Sequence, residues 1–454
     1  MTSPRTTPTG TASTHTASAG TAWTRTASAA TASAATPSPR PSRRTVTRAG
    51  LLAAALALTP TTARSAAAAT PGDLVLRLPA PTGPYRIGAT TLHLVDHSRN
   101  DPWEPAIGVR EVMVTVLHPA RTVRGYPRAP QLTPGEAGLF TFLAPAVHGL
   151  PAAGVDWAAT LTHTHPGAPV APGPWPVLLY SPGGGEARTM GTLLAEELAS
   201  HGWVVVTVDH PGDASQVEFP GARPGRDTVR RTVFVGPPDA EQFRTMIDTR
   251  LADIRFVLDR LEALEGPLGR ALDLGRVGIY GHSAGGTAAA QTLYDDRRIA
   301  AAVNLEGHLD QVDGTLFPVA RYGVDRPLLL LGTDGFRDAR LDRSWGAMLA
   351  HPEGPTRRRQ LDHADHWVFT DYAALVPQLQ AAGLTTAADR VRLVGAIEPE
   401  AAVRAVRRQV RSFFGRPGHF SHPGRPGHPA HPGHFSRPGH PGRFGPRLPV
   451  VGDQ

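Results

Sequence analysis

The chain contains neither cysteine nor lysine among its 454 residues. Without cysteine, disulfides, thiolate metal sites and a cysteine nucleophile are excluded. Without lysine, a phosphate-binding P-loop is excluded, because that loop needs a Lys-Ser/Thr pair after its glycines. Long apolar runs are scarce as well, and the run at residues 49–58 is too short to span a bilayer.

Positive charge is concentrated at the two ends of the chain. Residues 1–69 hold seven arginines and no acid, and residues 415–454 hold five arginines and one acid. The whole chain has a net charge of +7, so the middle is net negative. The basic character therefore belongs to the ends, and we expect no nucleic-acid partner for the folded part.

The N-terminal end has the order of an export signal. Residues 42–48, Ser-Arg-Arg-Thr-Val-Thr-Arg, resemble a twin-arginine signal, and the apolar run 49–58 and small residues at 63–69 follow. Residues 1–41 are a Thr/Ala/Ser/Pro stretch too poor in apolar residues to fold. We expect residues 1–69 to be a disordered leader that exports the protein; a leader that stays attached is the alternative.

The C-terminal end, residues 415–454, repeats variants of Arg-Pro-Gly-His-Phe and His-Pro-Gly. Proline and glycine at this density prevent helix and strand formation. The histidines could chelate a divalent ion, but a solvated, disordered tail is the preferred interpretation. The predicted catalytic domain is therefore residues 70–414.

Within residues 70–414, apolar runs alternate with helical patterns, which predicts an α/β fold with a mostly parallel sheet and helices on both faces. The predicted strands are 112–117, 176–180, 203–208, 277–280, 299–305 and 327–331. The predicted helices are 189–200, 240–264 and 400–414. The Pro/Gly-rich stretch 121–173 is expected to be irregular, either as a cover over the site or as a surface connection.

The candidate nucleophile is Ser283, in Gly281-His282-Ser283-Ala284-Gly285. A predicted strand precedes this motif and a predicted helix follows it, which is the context of a nucleophile elbow. The turn is tight, and side chains at Gly281 and Gly285 would crowd the backbone. A structural serine in a glycine-rich turn is the alternative.

A serine nucleophile needs a base and an acid that orients the base. His366, in a polar loop after the last predicted strand, is the preferred base, and His363 is the competitor. In this fold the acid lies between serine and histidine in the chain. Glu306 and Asp334 both follow predicted strands and qualify by position, with Asp334 the default for the generic fold; lower-weight options are Asp310 and Asp313.

The oxyanion of an ester intermediate needs two backbone donors. One is the N–H of Ala284, next to the nucleophile. The other is expected from the glycine-rich stretch that follows the strand ending at Tyr180, with Gly184 preferred and Gly185 next. The spacing of these glycines does not fit a dinucleotide-binding loop, which needs a third, separated glycine.

Together these motifs resemble the α/β-hydrolases related to platelet-activating factor acetylhydrolase. Segments 78–85 and 92–96 resemble the family's N-terminal strands, and the other similar segments are 180–185, 198–205, 208–211, 281–286, 304–307 and 366–371, within residues 74–414. The resemblance implies the α/β-hydrolase fold and moves the expected acid from Asp334 to Glu306. The family usually has aspartate there, and glutamate is one methylene longer. The family often has histidine at the position of Pro182, so this chain lacks one possible hydrogen-bond donor in the oxyanion loop.

The motifs and the resemblance together predict a serine carboxylic-ester hydrolase that needs no metal and no organic cofactor, and the N-terminal signal predicts that it is exported. Ser283 would be the nucleophile, His366 the base and Glu306 its orienting acid, with Gly184 and Ala284 as oxyanion donors. The expected substrate is an acyl ester of modest chain length, such as a glycerophospholipid or triacylglycerol, with transient contact to a lipid surface. Alternatives are a cutinase-like polyester hydrolase, a peptidase, and a catalytically silent binding protein.

Overall fold

The computed structural model describes residues 72–420 except 222, 224, 225, 235, 237 and 353. The predicted export signal and the predicted tail from residue 421 onward lie outside the described residues. Within the described range, no helix has the length and apolar character needed to cross a membrane.

The described part contains eleven strands and ten α-helices. The strands are β1 Ile87–Asp96, β2 Arg110–Pro119, β3 Thr164–Pro166, β4 Trp175–Ser181, β5 Val204–Val208, β6 Gln216–Glu218, β7 Val229–Arg231, β8 Leu272–His282, β9 Ile299–Leu305, β10 Leu328–Thr333 and β11 Thr356–Leu361. The helices are α1 Pro134–His148, α2 Thr192–Ser200, α3 Ala240–Glu262, α4 Gly266–Ala271, α5 Ala284–Asp295, α6 Pro318–Tyr322, α7 Ala339–Leu349, α8 Tyr372–Ala381, α9 Ala387–Val394 and α10 Pro399–Phe414.

Nine strands form one sheet in the order β11-β10-β9-β8-β4-β5-β2-β1-β3. The six strands from β11 to β5 are mutually parallel, whereas β2 pairs antiparallel with both β5 and β1. From β4 the chain continues to one side, to β5, and from β8 it continues to the other side, to β9. The carboxyl ends of β4 and β8 therefore border the crevice where parallel α/β sheets hold their ligands.

The sheet carries a hydrophobic core on each face. Along β4, Leu178 and Tyr180 belong to one core, with side chains of α1, α2, α8 and α10. Val177 and Leu179 belong to the other, with side chains of α3, α5 and α7. Because successive residues of a strand point to opposite faces, continuous apolar strands such as β4 and β5 fit this two-sided burial. The predicted fold class is confirmed.

The prediction of an irregular stretch at 121–173 was wrong, because α1 and β3 lie within it. Helix α1 begins with a capping box: the Thr133 side chain accepts from the N–H of Glu136, whose side chain accepts from the N–H of Thr133. Pro134 suits the first helical turn, where its missing N–H has no acceptor. The Thr-x-x-Glu signal was present, but the high Pro, Gly and Ala content obscured it.

Two further expectations on strands need correction. Residues 78–85 form no strand, and β1 begins only at Ile87, because prolines remove backbone donors from that segment. The last strand before His366 is not the one at 327–331 but β11. Its sequence, Thr-Arg-Arg-Arg-Gln-Leu, is charged because β11 is the edge strand of the sheet, where charge is tolerated and favoured.

Candidate active site

Ser283 lies between the end of β8 and the start of α5. Its backbone has φ 53°, which is unfavourable for a residue with a side chain. A Cβ on Gly281 would lie 2.2 Å from the carbonyl oxygen of Gly285, and one on Gly285 would lie 2.0 Å from that of Ser181. The turn can therefore form only with glycine at both positions, and it holds the partly exposed Ser283 at the amino end of a helix.

His366 and Glu306 form a hydrogen-bonded pair, with Nδ1 and Oε2 2.9 Å apart. Glu306 directly follows β9 and is fully buried. Its other carboxylate oxygen accepts hydrogen bonds from the N–H and the hydroxyl of Thr333. Glutamate, although longer than the family's usual aspartate, therefore reaches the imidazole, and Thr333 fixes the orientation of its carboxylate.

The other acids considered from the sequence lie away from the imidazole of His366. Asp334 accepts hydrogen bonds from the backbone N–H groups of His363 and Ala364, at 2.9 and 3.1 Å, and so closes the loop before His366. Asp310 forms ion pairs with two arginines of α7, and Asp313 accepts from the N–H of Thr315 in its own turn. The competing base, His363, is exposed.

Burial dominates the electrostatics of the His366–Glu306 pair. It lowers the pKa of His366 well below the usual range, and the nearby His282 and His308 act in the same direction. It raises the pKa of Glu306, although the hydrogen bonds from Thr333 oppose the increase. Phe336 stacks on the imidazole with ring centroids 3.9 Å apart and adds to its desolvation. His366 is therefore neutral near pH 7, as a base must be.

The glycine-rich loop comprises residues 182–185, directly after β4. Its three glycines differ in what their N–H groups contact. The N–H of Gly183 donates to Oε2 of Glu186 (3.2 Å), and that of Gly185 donates to Oδ1 of Asp213 (2.9 Å). The N–H of Gly184 has no acceptor within the described part of the chain. A Cβ on Gly184 would lie 3.7 Å from that of Ala284, so these two residues are adjacent. Gly185, the second choice from the sequence, is therefore not available as a donor.

His282 was missed by the sequence reasoning and connects both sides of the site. It is fully buried, and its Nδ1 lies 3.0 Å from Oε2 of Glu186, the acceptor for Gly183. Its Nε2 donates to the backbone carbonyl of His366 (3.0 Å). His282, the residue before Ser283, thus connects the glycine-rich loop to the loop that carries His366. A histidine beside the serine in the elbow motif was the available signal.

No group of three or more His, Asp or Glu side chains within the described ranges is arranged to hold a metal ion. The buried acids near the site contact backbone N–H groups, hydroxyls and imidazoles instead: Glu306 contacts Thr333 and His366, and Glu186 contacts Gly183 and His282.

Comparison with known proteins places the chain in a family. A family model described as platelet-activating factor acetylhydrolase, isoform II, matches residues 156–219, which include β4, the glycine-rich loop, α2 and β5. A probable 1-alkyl-2-acetylglycerophosphocholine esterase of Arthroderma benhamiae is 28% identical over 356 residues, 74% of this chain and 87% of that protein. Platelet-activating factor acetylhydrolase of Cavia porcellus is 27% identical over 190 residues, 36% of this chain and 41% of the other.

Among solved structures, a ferulic acid esterase from Streptomyces cinnamoneus is similar over nearly its whole length. The TM-score is 0.62 at 32% sequence identity, with 77% of this chain and 97% of that chain covered. The chain belongs to the α/β-hydrolase esterases that resemble platelet-activating factor acetylhydrolase. The predicted family and the predicted enzyme class, a hydrolase of carboxylic esters, are thereby confirmed.

In this esterase a cavity of about 650 Å³ lies beside the glycine-rich loop, with Gly185 in its wall. Apolar side chains of α1, including Leu139, Phe142 and Leu143, form one side. Arginines of the segment around β7, including Arg231, form another. The cavity has the size of a small-molecule site, and Ser283 and His366 are not among the residues that line it.

Proposed function

We propose that this esterase acts through a Ser283–His366–Glu306 triad and an acyl-enzyme. The observation that carries the proposal is the 2.9 Å hydrogen bond between Nδ1 of His366 and the buried carboxylate of Glu306. It leaves Nε2 as the nitrogen available to the nucleophile. The contact between His282 and the His366 carbonyl supports the same arrangement, because it holds the histidine loop next to the residue that precedes Ser283.

In the proposed reaction, Oγ of Ser283 attacks the carbonyl carbon while Nε2 of His366 takes the hydroxyl proton. The carbonyl oxygen becomes an oxyanion and accepts hydrogen bonds from the N–H groups of Gly184 and Ala284. The carbon–oxygen bond to the alcohol then breaks, and His366 protonates the leaving oxygen. Water, deprotonated by His366, attacks the acyl-enzyme and releases the acid and the free serine.

The proposed substrate is an ester with a short or modest acyl group, and a glycerophospholipid is the first candidate. The matches to proteins named for acetylglycerophosphocholine and platelet-activating factor support this choice. An ester of an aromatic acid is the second candidate, favoured by the 97% coverage of the ferulic acid esterase. The apolar α1 wall of the cavity suits either an alkyl chain or a ring.

The test is hydrolysis of p-nitrophenyl esters from acetate to palmitate, together with methyl ferulate and a 2-acetyl glycerophospholipid, by the full chain. Ser283→Ala and a fluorophosphonate label identify the nucleophile. We expect labelling at Ser283, a short-chain optimum, and no turnover by Ser283→Ala. A long-chain optimum would favour a lipase, and cutin hydrolysis the polyester alternative. Absence of labelling in the folded protein would overturn the triad and favour a binding role.

We further propose that the protein is exported by the twin-arginine route. The support is the order of basic, apolar and small residues at 42–69. Replacing Arg43 and Arg44 together by lysine should retain the protein inside the cells that express it, since the receptor for this signal reads the arginine pair. Western blots of medium and cell fractions measure the distribution. Unchanged export of the double variant would contradict this route.

A further inference from the structure

One arginine of α3 contacts the glycine-rich loop and the strand residue before it. Arg250 is fully buried, and its guanidinium donates to three consecutive residues, the last residue of β4 and the first two of the loop. Nη1 donates to Oγ of Ser181 (3.1 Å) and to the carbonyl oxygen of Pro182 (2.5 Å), and Nη2 donates to the carbonyl oxygen of Gly183 (2.9 Å). The loop between β4 and Gly184 is therefore bound, residue by residue, to a single side chain.

The far side of Gly184 is bound through the partner of this arginine. Nε of Arg250 donates to Oδ2 of Asp213 (2.6 Å), and the other oxygen of Asp213 accepts from the N–H of Gly185 (2.9 Å). Asp213 is itself buried. The Arg250–Asp213 pair thus fixes the peptide groups on both sides of Gly184 and leaves its N–H without an acceptor among the described residues.

A second layer of buried polar groups supports this pair. Oγ of Ser181 lies 3.0 Å from Nε2 of His210, and Nδ1 of His210 lies 3.0 Å from Oδ2 of Asp253. Arg110 completes the layer with two hydrogen bonds to Asp253. Ser181, His210, Asp253 and Arg110 are all fully buried. The layer repeats the order of a serine, a histidine and an acid where no substrate can enter.

We propose that Arg250, held by Asp213, is a positioning residue that presents the Gly184 N–H to the oxyanion of the reaction. Three glycines in succession would otherwise let the loop adopt many conformations. The planar guanidinium with five donors can hold several fixed acceptors at once, which the ammonium of lysine cannot do. The inference rests on the proposed role of Ser283 and assigns the orientation of its oxyanion hole to a residue outside the triad.

The test uses Arg250→Lys in the full chain, with kcat and KM measured on p-nitrophenyl acetate. Loss of one oxyanion donor costs about 10²–10³ in turnover, so a displaced donor should lower kcat by roughly 10- to 100-fold. KM should stay within about threefold, because the ground-state carbonyl depends little on this donor. Inhibition by an alkyl trifluoromethyl ketone, whose adduct with serine carries an oxyanion, should weaken by the same factor as kcat/KM falls.

Arg407→Lys is the matched control. Arg407 is also buried and also donates to two consecutive backbone carbonyls, those of Pro79 and Ala80, at 2.9 and 2.8 Å, but it lies on α10 and contacts no residue of the site. Its variant should lower the melting temperature about as much as Arg250→Lys while kcat and ketone inhibition stay at the wild-type values.

The outcomes separate this inference from the triad. If Ser283→Ala retains turnover, the proposed function fails. If Ser283→Ala is inactive but folded Arg250→Lys keeps the wild-type kcat, whether or not its KM rises, the positioning role alone is overturned. Should Arg250→Lys not fold, Asp213→Asn carries the same measurements, since it leaves Arg250 in place and weakens the acceptor of the Gly185 N–H. A normal kcat in that variant would also overturn the inference.

Discussion

This esterase contains two sets of a serine, a histidine and an acid, and their serines lie at the ends of the neighbouring strands β8 and β4. The outer set is Ser283, His366 and Glu306; the buried set is Ser181, His210 and Asp253. Ser181 ends β4 and pairs with Gly281 of β8, two residues before Ser283. The histidine–acid distances are 2.9 Å in the outer set and 3.0 Å in the buried one. The histidine–acid distance therefore does not distinguish the two sets.

Backbone geometry and access distinguish them. Ser283 stands past the end of its strand at φ 53° and is partly exposed. Ser181 is still within β4, is fully buried, and its hydroxyl accepts from Arg250. A hydroxyl that is occupied and sealed from substrate cannot attack an ester, but it can hold a loop in place. The comparison indicates that the elbow, rather than the histidine–acid pair, distinguishes Ser283 from Ser181 as the candidate nucleophile, because only the elbow exposes the hydroxyl.

The largest effect is expected from exchanging the two serines for alanine. Ser283→Ala should lose roughly 10⁴-fold or more in ester turnover and all fluorophosphonate labelling, because it removes the proposed nucleophile. Ser181→Ala should still be labelled at Ser283, and it should lose about 1–3 kcal/mol of stability because Arg250 and His210 lose a partner. Peptide mass spectrometry locates the label. A label on Ser181 in either protein would reverse the assignment.

A smaller but clear effect should separate the acids. Glu306→Gln should lower kcat by roughly 10²- to 10⁴-fold, since the amide cannot stabilise the imidazolium and favours the wrong tautomer. Asp334→Asn, which alters only the loop contacts of His363 and Ala364, should cost less than about tenfold. Steady-state kinetics on a p-nitrophenyl ester measure both. A larger loss in Asp334→Asn would transfer the acid's role to Asp334.

The smallest effect is expected in the pH dependence of the free energy of unfolding, because burial keeps several histidines neutral. Burial lowers the pKa of both His366 and His210, and it lowers the pKa of His148, outside both sets, to about 3. The unfolded chain takes up a proton on histidine near pH 6.5, so below that pH it binds more protons than the folded protein. Stability is therefore lost as pH falls from about 6.5 towards 3, by roughly 1.4 kcal/mol per unit for each such histidine.

His148→Gln isolates one of these contributions without touching either set. Urea unfolding at pH 7.5 and pH 5 should show a difference about 2 kcal/mol smaller in this variant than in the wild type. His363→Gln, at an exposed position, is the control and should keep the wild-type difference. An equal pH dependence in all three proteins would mean that His148 does not remain neutral in the folded state.

Local sequence was sufficient for the features that depend on neighbouring residues. The buried strands followed from continuous apolar runs, and the elbow around Ser283 from glycines whose side chains would collide with the backbone. The candidate oxyanion loop followed from its glycines after β4. In contrast, α1 was hidden by a composition rich in proline and glycine, and β11 by its charge, because edge position and capping outweigh composition only in the folded context.

The sequence by itself determined the fold class and the family. It also determined the candidate nucleophile Ser283, the candidate base His366 and the candidate oxyanion donor Gly184, since each of these residues is marked by its neighbours in the chain. Only the tertiary structure decided which carboxylate contacts His366, which glycine N–H has no acceptor among the described residues, and that Arg250 binds the loop. Those contacts join residues 60, 28 and 67–69 positions apart. The order of the strands in the sheet brings these residues together, and their spacing along the chain does not predict that order.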